Sequence, residues 1–158
     1  MLRVFNFPLP AAETRTVSGA LEGEALQIES ATGGKTQVQA VAAQKWSGGQ
    51  QLWWLDAKPG DALTLSFPVE KAGKYTLQGE FTKAADYGIA KVAVDNGPAS
   101  DPIDFYHAGL TRQVIDIGTY SFTAGTHTLT ITVTGANARA LQRHMIGLDY
   151  LKLTAVGR

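Results

Sequence analysis

Glu22 and Glu24 are the residues whose type and spacing most directly suggest chemistry. They lie two positions apart in LEGEALQI, so on a strand both carboxylates would point to the same face. Like charges this close repel each other, and a hard cation with oxygen ligands is the usual remedy. The other interpretation is a solvated polar face with partners such as Lys152. The spacing alone leaves a metal site and an ordinary surface both open.

The same carboxylates do not predict a catalytic pair. A glycosidase needs two carboxyl groups that face each other across a cleft, and neighbours on one strand do not supply that geometry. The chain has no GxSxG, P-loop or HExxH motif, and its three histidines are scattered. It has no cysteine, which excludes disulfides, thiolate catalysis and Cys-ligated zinc. A small glycan lyase or hydrolase is therefore poorly supported, and we predict that the chain is not an enzyme.

Two of the three tryptophans are adjacent, in the segment QLWW. Consecutive strand residues point to opposite faces, so one indole should enter the core and the other should face outward. Trp54 shares a face with Leu52 and is the predicted core residue, which leaves Trp53 exposed. Aromatic rings stack on the apolar face of a sugar, so an outward tryptophan suggests a binding surface. Trp46, in the glycine-rich KWSGGQQ loop, is a second candidate platform or else a loop anchor packed over the end of the sandwich.

Several predicted loops carry further polar and aromatic groups. The candidate sugar contacts there are Asp86, Tyr87, Tyr106, His107, Arg143 and His144. The basic pair Arg143 and His144 would favour an acidic sugar, such as a uronate or a sulfated glycan. The alternative is that 138–145 forms a short amphipathic turn whose arginines are merely solvated.

Alternating patterns predict the elements that must position these groups. Apolar residues recur at every second position in 61–69, 73–83 and 127–135, with turn signals such as KPGD and TAGT between them. Further strands are predicted at 21–28, 36–41, 50–55, 88–95, 113–122 and 146–154. About nine short strands indicate an all-β fold, a single antiparallel β-sandwich. Residues 1–19 contain two prolines and no alternation, so we predict an N-terminal extension or linker, with the domain at 20–158.

Charge and hydropathy limit the partners of the chain. Acidic and basic side chains number 14 each, so the sequence shows no electrostatic footprint for nucleic acid or an anionic membrane. No apolar run is long enough to cross a bilayer, and the first residues lack the continuous apolar stretch of a signal peptide.

Four segments in order resemble a known family. They are LEGEALQI, SGGQQLWWLDAKPGDALTLSFPVEKAGKYTL, FTAGTHTLTITVTG and IGLDYLKL. Together they resemble the galactose-binding-like β-sandwich of carbohydrate-binding modules of families 6 and 35, from about Leu21 to Leu153. The similarity is greatest to C-terminal accessory domains of large secreted bacterial proteins of planctomycete type, including glycoside hydrolases.

The resemblance implies a jelly-roll-like sandwich that binds polysaccharide without catalysis and targets a parent enzyme or surface protein. It implies a structural calcium ion held by Glu22, Glu24 and Asp149 of GLDYL, and a structural role for His127. It also implies an extracellular or periplasmic location. Members of the family commonly carry an asparagine just before the closing strand, where this chain has RHMIG.

A different class of function also fits the sequence. The chain would then be a structural interaction domain, whose aromatic residues pack against a neighbouring domain or an identical subunit without binding sugar. The surroundings of Trp53 and Trp46 distinguish the two, because an open groove with a polar rim favours sugar and a flat apolar patch favours a protein partner.

Overall fold

The computed structural model describes residues 15–157, which form eleven β-strands and three short 3-10 turns. The strands are β1 (Ala20–Glu22), β2 (Gln27–Ala31), β3 (Lys35–Gln39), β4 (Gln51–Leu55), β5 (Ala62–Val69), β6 (Gly73–Lys83), β7 (Ile89–Val94), β8 (Ile103–Asp104), β9 (Thr111–Phe122), β10 (Gly125–Gly135) and β11 (Ile146–Ala155). The 3-10 turns are Gly23–Ala25, Ala42–Gln44 and Ser47–Gly49. None of the helical segments among these residues is long and apolar enough to span a membrane.

The strands form two antiparallel sheets packed face to face. The first has the order β3-β4-β11-β6-β9, with β1 also paired to β11, and the second has the order β2-β5-β10-β7-β8. The closing strand β11 is central to the first sheet, because it pairs with β4, β6 and β1. The predicted all-β antiparallel sandwich is confirmed.

The alternating residues of the sequence form the core between the sheets. In β5, Leu63, Leu65 and Phe67 are at most 1% exposed, while the threonine and serine between them face away. The same alternation buries Leu129, Ile131 and Val133 of β10. The first sheet contributes a matching set, which includes Leu52, Trp54, Leu77 and Phe81.

One predicted strand is broken. The segment 21–28 was expected to be continuous, but a 3-10 turn at Gly23–Ala25 separates β1 from β2. Gly23 lies so close to β11 that a Cβ there would collide with the carbonyl oxygen of Leu148. The chain therefore leaves the first sheet at this glycine, and Glu22 and Glu24 do not share one strand as predicted.

His127 at the start of β10 joins two turns. Its Nδ1 lies 2.6 Å from Asp95 Oδ2, and its Nε2 lies 2.7 Å from the carbonyl oxygen of Thr123. Both partners are acceptors, so both contacts are satisfied as hydrogen bonds when each ring nitrogen carries a proton. Burial lowers the pKa of His127, but the bonds to Thr123 and Asp95 together outweigh it and raise the pKa above its ordinary value.

We therefore expect the protein to lose stability as pH rises through the raised pKa of His127. The stabilisation is fully present below the ordinary histidine pKa of 6.5 and disappears as the folded-state ring deprotonates. The Asp95 side chain is 43% exposed, so solvent screens the pair and the stabilisation should not exceed about 1 kcal/mol. Thermal unfolding as a function of pH measures it. Asp95→Asn keeps the shape of the partner and removes its charge, so it should flatten the profile, and an unchanged profile would contradict the assignment.

Candidate functional site

Three loops meet at one end of the sandwich. Residues 84–88 form bridges with Tyr106 and with Met145. Gly88 N–H donates to the Met145 carbonyl at 3.0 Å, and Met145 N–H donates to the Asp86 carbonyl at 3.1 Å. Main-chain bonds thus hold the segment before β11 against the loop that follows β6.

Asp104 links two of these loops through its side chain. Its Oδ2 accepts a hydrogen bond of 2.7 Å from Asn137 Nδ2, and its Oδ1 accepts one of 2.9 Å from the backbone N–H of Tyr106. Both carboxylate oxygens are therefore engaged within the protein. Asp104 positions the loop that carries Tyr106 and His107.

A cavity of about 390 Å³ opens between the loop after β4 and the segment before β11. Its lining residues are Asp56, Ala57, Lys58, Gln142, Arg143 and His144. Arg143 and Lys58 bring two cationic side chains to it, and His144 is the one ring among the described residues that line it. Asp56 and His144 both have positive φ, 62° and 54°, so the backbone turns sharply on either side of the cavity. Arg143 and His144 are predicted from the sequence as sugar contacts, whereas Asp56 and Lys58 are not.

Trp46 is not an exposed platform. It is 0% exposed, and its indole N–H donates to Thr82 Oγ1 at 2.9 Å. Thr82 Oγ1 in turn donates to Gln51 Oε1 at 2.6 Å. The interpretation of Trp46 as a stacking residue is therefore wrong in this structure, and the alternative of a packed loop anchor describes it. A sugar has no access to a ring that is covered on all sides.

Tyr87 is also interior, contrary to its assignment as a sugar contact. It is 3% exposed, and its hydroxyl oxygen lies 3.2 Å from Gln51 Nε2, which donates to it. Burial raises the pKa of Tyr87 to about 12, so the hydroxyl stays protonated. The Tyr87 side chain packs in the interior beneath the loop of residues 84–88 and does not line an open surface.

Of the adjacent tryptophans, Trp54 takes the predicted place in the core, at 0% exposure. Trp53 lies on the other face of β4 and is half-buried, opposite Gln37 of β3 and Gly147 of β11. Its indole nitrogen is buried and has no hydrogen-bond partner among residues 15–157. The strand phase is confirmed, but Trp53 is only partly available to a ligand.

The remaining predicted contacts lie nearer the solvent. His107 and Arg143 are exposed, and Asp86, Tyr106 and His144 are half-buried. His107 Nδ1 lies 2.6 Å from the carbonyl oxygen of Gly109, so the ring is turned back onto its own loop. Arg143 and His144 border the cavity with Lys58, whereas Asp86, Tyr106 and His107 do not line it.

Two of the three predicted calcium ligands, Asp149 and Glu22, accept hydrogen bonds from Ser47. Ser47 N–H donates to Asp149 Oδ1 at 2.8 Å, and Ser47 Oγ donates to Glu22 Oε1 at 2.8 Å. The second oxygen of Asp149 accepts a hydrogen bond of 3.2 Å from Arg15 Nη1. Each oxygen of Asp149 therefore accepts a hydrogen bond from within the protein.

Glu24 is the one member of this set with a free buried atom. Its Oε1 is buried and has no hydrogen-bond partner among the described residues. Burial, with the nearby charge of Glu22, raises the pKa of Glu24 to about 6. Across residues 15–157, no group of three or more His, Cys, Asp or Glu side chains is arranged to hold a metal. The three residues do not fit a calcium ion as a set, and calcium stays a prediction from the sequence.

Comparison with solved structures shows the fold. The chain superposes on part of a Paenibacillus xanthan lyase with a TM-score of 0.77 and 24% identity, covering 92% of this chain and 14% of the lyase. It superposes on a family 35 carbohydrate-binding module from an environmental isolate with a TM-score of 0.60 and 20% identity, covering 87% of this chain and 93% of the module. It superposes on a family 35 module from Clostridium thermocellum with a TM-score of 0.53 and 18% identity. That superposition covers 88% of this chain and 100% of the module.

No protein-family model matches the sequence, and no curated protein matches it. The similarity is therefore one of three-dimensional arrangement. It extends over nearly the whole length of the two isolated modules. The chain has the antiparallel β-sandwich fold of the family 35 carbohydrate-binding modules.

Proposed function

We propose that the chain is a non-catalytic carbohydrate-binding module whose sugar site is the cavity between 56–58 and 142–144. The observation that carries the proposal is the match to two complete family 35 modules, 93% and 100% of whose lengths the chain covers. The cavity supports the location, because it lies at the loop end where polar side chains from two segments converge.

The charges around this cavity favour an acidic glycan. Lys58 and Arg143 each present a cation, and the planar guanidinium of Arg143 can donate two parallel hydrogen bonds to a carboxylate or sulfate group. Asp56 can accept from sugar hydroxyls, and Gln142 can both donate and accept. His144 offers a ring beside these groups. Binding would then depend on charge-assisted hydrogen bonds more than on the tryptophan stacking that the sequence suggested.

The contacts of Glu80 and Asp149, the two buried acidic residues of the described part, support the proposal that the chain is not an enzyme. Glu80 and Asp149 are 6% and 0% exposed. Glu80 contacts Arg15 and Arg112, and Asp149 contacts Arg15 and Ser47. Glu80 lines a pocket beside Arg112, but Asp149 does not line it, so the two carboxyl groups do not face each other across a cleft as the two acids of a glycosidase do.

Two features support a role beside a parent protein. The chain spans 14% of the length of the xanthan lyase and 28% of a Podospora anserina mannanase that carries a family 35 module, with a TM-score of 0.59 for the latter. We propose that the chain likewise holds a larger extracellular or periplasmic protein near polysaccharide.

Calorimetric titration with neutral and acidic polysaccharides, xanthan included, tests the function. We expect the unmodified chain to bind an acidic polysaccharide, and Arg143→Ala and Lys58→Ala each to weaken that binding about 10- to 100-fold, the value of a charge-assisted hydrogen bond. Arg139→Ala is the matched control, because Arg139 is an exposed arginine of the same loop that does not line the cavity.

If Arg139→Ala and Arg143→Ala weaken polysaccharide binding equally, the effect is one of overall charge, and that result would contradict the proposed location of the sugar site. If the unmodified chain binds no polysaccharide, and its oligomeric state changes with the cavity variants, the interaction-domain alternative is favoured instead.

A further inference from the structure

The guanidinium of Arg15 lies among oxygens from three separate parts of the chain. Its Nη1 is 3.2 Å from the carbonyl oxygen of Lys45, 3.2 Å from Asp149 Oδ2 and 2.9 Å from Glu80 Oε2. These oxygens belong to the loop before β4, to β11 and to β6. One cationic group therefore connects the segment before β1 to the closing strand.

The backbone around Arg15 is also fixed. Gly48 N–H donates to the Arg15 carbonyl at 2.8 Å, and Val17 N–H donates to Ser47 Oγ at 3.2 Å. The guanidinium carbon lies 5.9 Å from the centre of the Tyr150 ring, within the range of a cation–π contact. Arg15 is thus held against the first sheet from both its main chain and its side chain.

The carboxylates beneath it require a positive charge. The side chains of Glu80 and Asp149 are 7% and 0% exposed, too little for water to screen their charges. Among residues 15–157, Arg112 forms an ion pair with Glu80, at 3.2 Å, and Asp149 forms its ion pair with Arg15, so the compensation of Asp149 falls to Arg15.

We propose that the Arg15 guanidinium performs in this chain the structural role that the family resemblance assigns to calcium. A backbone carbonyl and carboxylates are the ligands that a hard cation uses, and the carbonyl of Lys45, Glu80 and the predicted calcium ligand Asp149 here contact a covalently attached cation. The other two predicted ligands do not contact Arg15, because Glu22 accepts from Ser47 and Glu24 Oε1 has no partner among residues 15–157. The closing strand is then tied to the start of the domain without metal. This inference does not depend on the sugar-binding function.

Thermal unfolding of the whole chain in excess calcium and in excess chelator tests the proposal. The unmodified protein should have the same Tm in both. Arg15→Met should lower Tm by roughly 10 °C, because it leaves buried carboxylates without their partner. Arg139→Met, the control for losing an exposed arginine, should leave Tm unchanged.

A second comparison separates charge compensation from packing. In the Asp149→Asn background, Arg15→Met should lower Tm by less than it does in the unmodified protein, because the charge that Arg15 compensates has been removed. If Arg15→Met does not fold, Arg15→Lys takes its place and should fold with a Tm that calcium does not change. A Tm of the unmodified protein that rises with calcium would overturn the proposal, as would equal losses in the two backgrounds or an Arg15→Lys variant that also fails to fold.

Discussion

Trp54→Ala should lower the free energy of unfolding by about 3–5 kcal/mol, the cost of removing a large buried aromatic side chain. Trp54 is 0% exposed in the core, and its indole N–H donates to the carbonyl oxygen of Gly33 at 3.0 Å. The substitution therefore leaves a cavity and also removes the donor to a turn between β2 and β3. Chemical denaturation monitored by circular dichroism measures the loss.

Trp53→Ala is the matched control for this prediction. It deletes the same side chain from the next position of β4, but from the other face, where the indole is only half-buried. Its cost should be much smaller. Equal costs for the two variants would contradict the strand phase in which Trp54 points inward.

Trp46→Ala should also cost about 3–5 kcal/mol of stability, whatever ligand the protein binds. The ring is fully buried on the outer side of the first sheet, and its N–H donates a hydrogen bond to Thr82 Oγ1. Trp46→Phe keeps most of the ring and removes the donor, so its loss should be nearer the 1–3 kcal/mol of a single unsatisfied buried group. Denaturant unfolding of both variants gives the comparison.

A role for Trp46 as a sugar platform makes the opposite prediction. Trp46→Ala would then keep its stability and lose only sugar binding. That outcome would mean that the loop opens to expose the ring.

The fold could be predicted from the sequence because strand alternation has a period of two and is local. The residues Leu63, Leu65 and Phe67 of β5 and Leu129, Ile131 and Val133 of β10 alternate with hydroxyl side chains, and both sets are buried. The phase of Trp53 and Trp54 followed from the same rule. These inferences needed no knowledge of which strands pair.

The break at Gly23 could not be predicted in this way. The reason for the turn is the approach of Leu148, which is distant in sequence. LEGEALQI alternates well enough to suggest one strand, so a tertiary contact overrode the local pattern.

The candidate site was predicted only in part, because loop residues have no periodicity that indicates their direction. Arg143 and His144 border the cavity as suggested, but Trp46 and Tyr87 point inward to Thr82 and Gln51. Lys58 was missed, since nothing in KPGD distinguishes a turn lysine at a cavity from one in solvent. The sequence suggested both aromatic stacking and an acidic sugar, and the burial of Trp46 and Tyr87 leaves the proposed recognition with Lys58 and Arg143.

Arg15 was assigned to an extension, since the segment around it has prolines and no alternation. Its contacts with Lys45, Glu80 and Asp149 are all long-range, and no local pattern predicts them. The boundary between 1–19 and 20–158 stays a prediction, and residues 1–14 lie outside the described part. The side chain of Arg15 nevertheless contacts Glu80 and Asp149, which lie on two strands of the first sheet.

The most direct test of the account is a map of backbone amide chemical shifts during titration with an acidic oligosaccharide. If the cavity is the sugar site, the largest changes should fall on residues 56–58 and 142–144, the two segments that line it. The same titration with Arg143→Ala should reduce those changes, while Arg139→Ala should preserve them. An unmodified chain whose amide shifts do not change with any acidic or neutral oligosaccharide, or change only outside these segments, would contradict the proposed site.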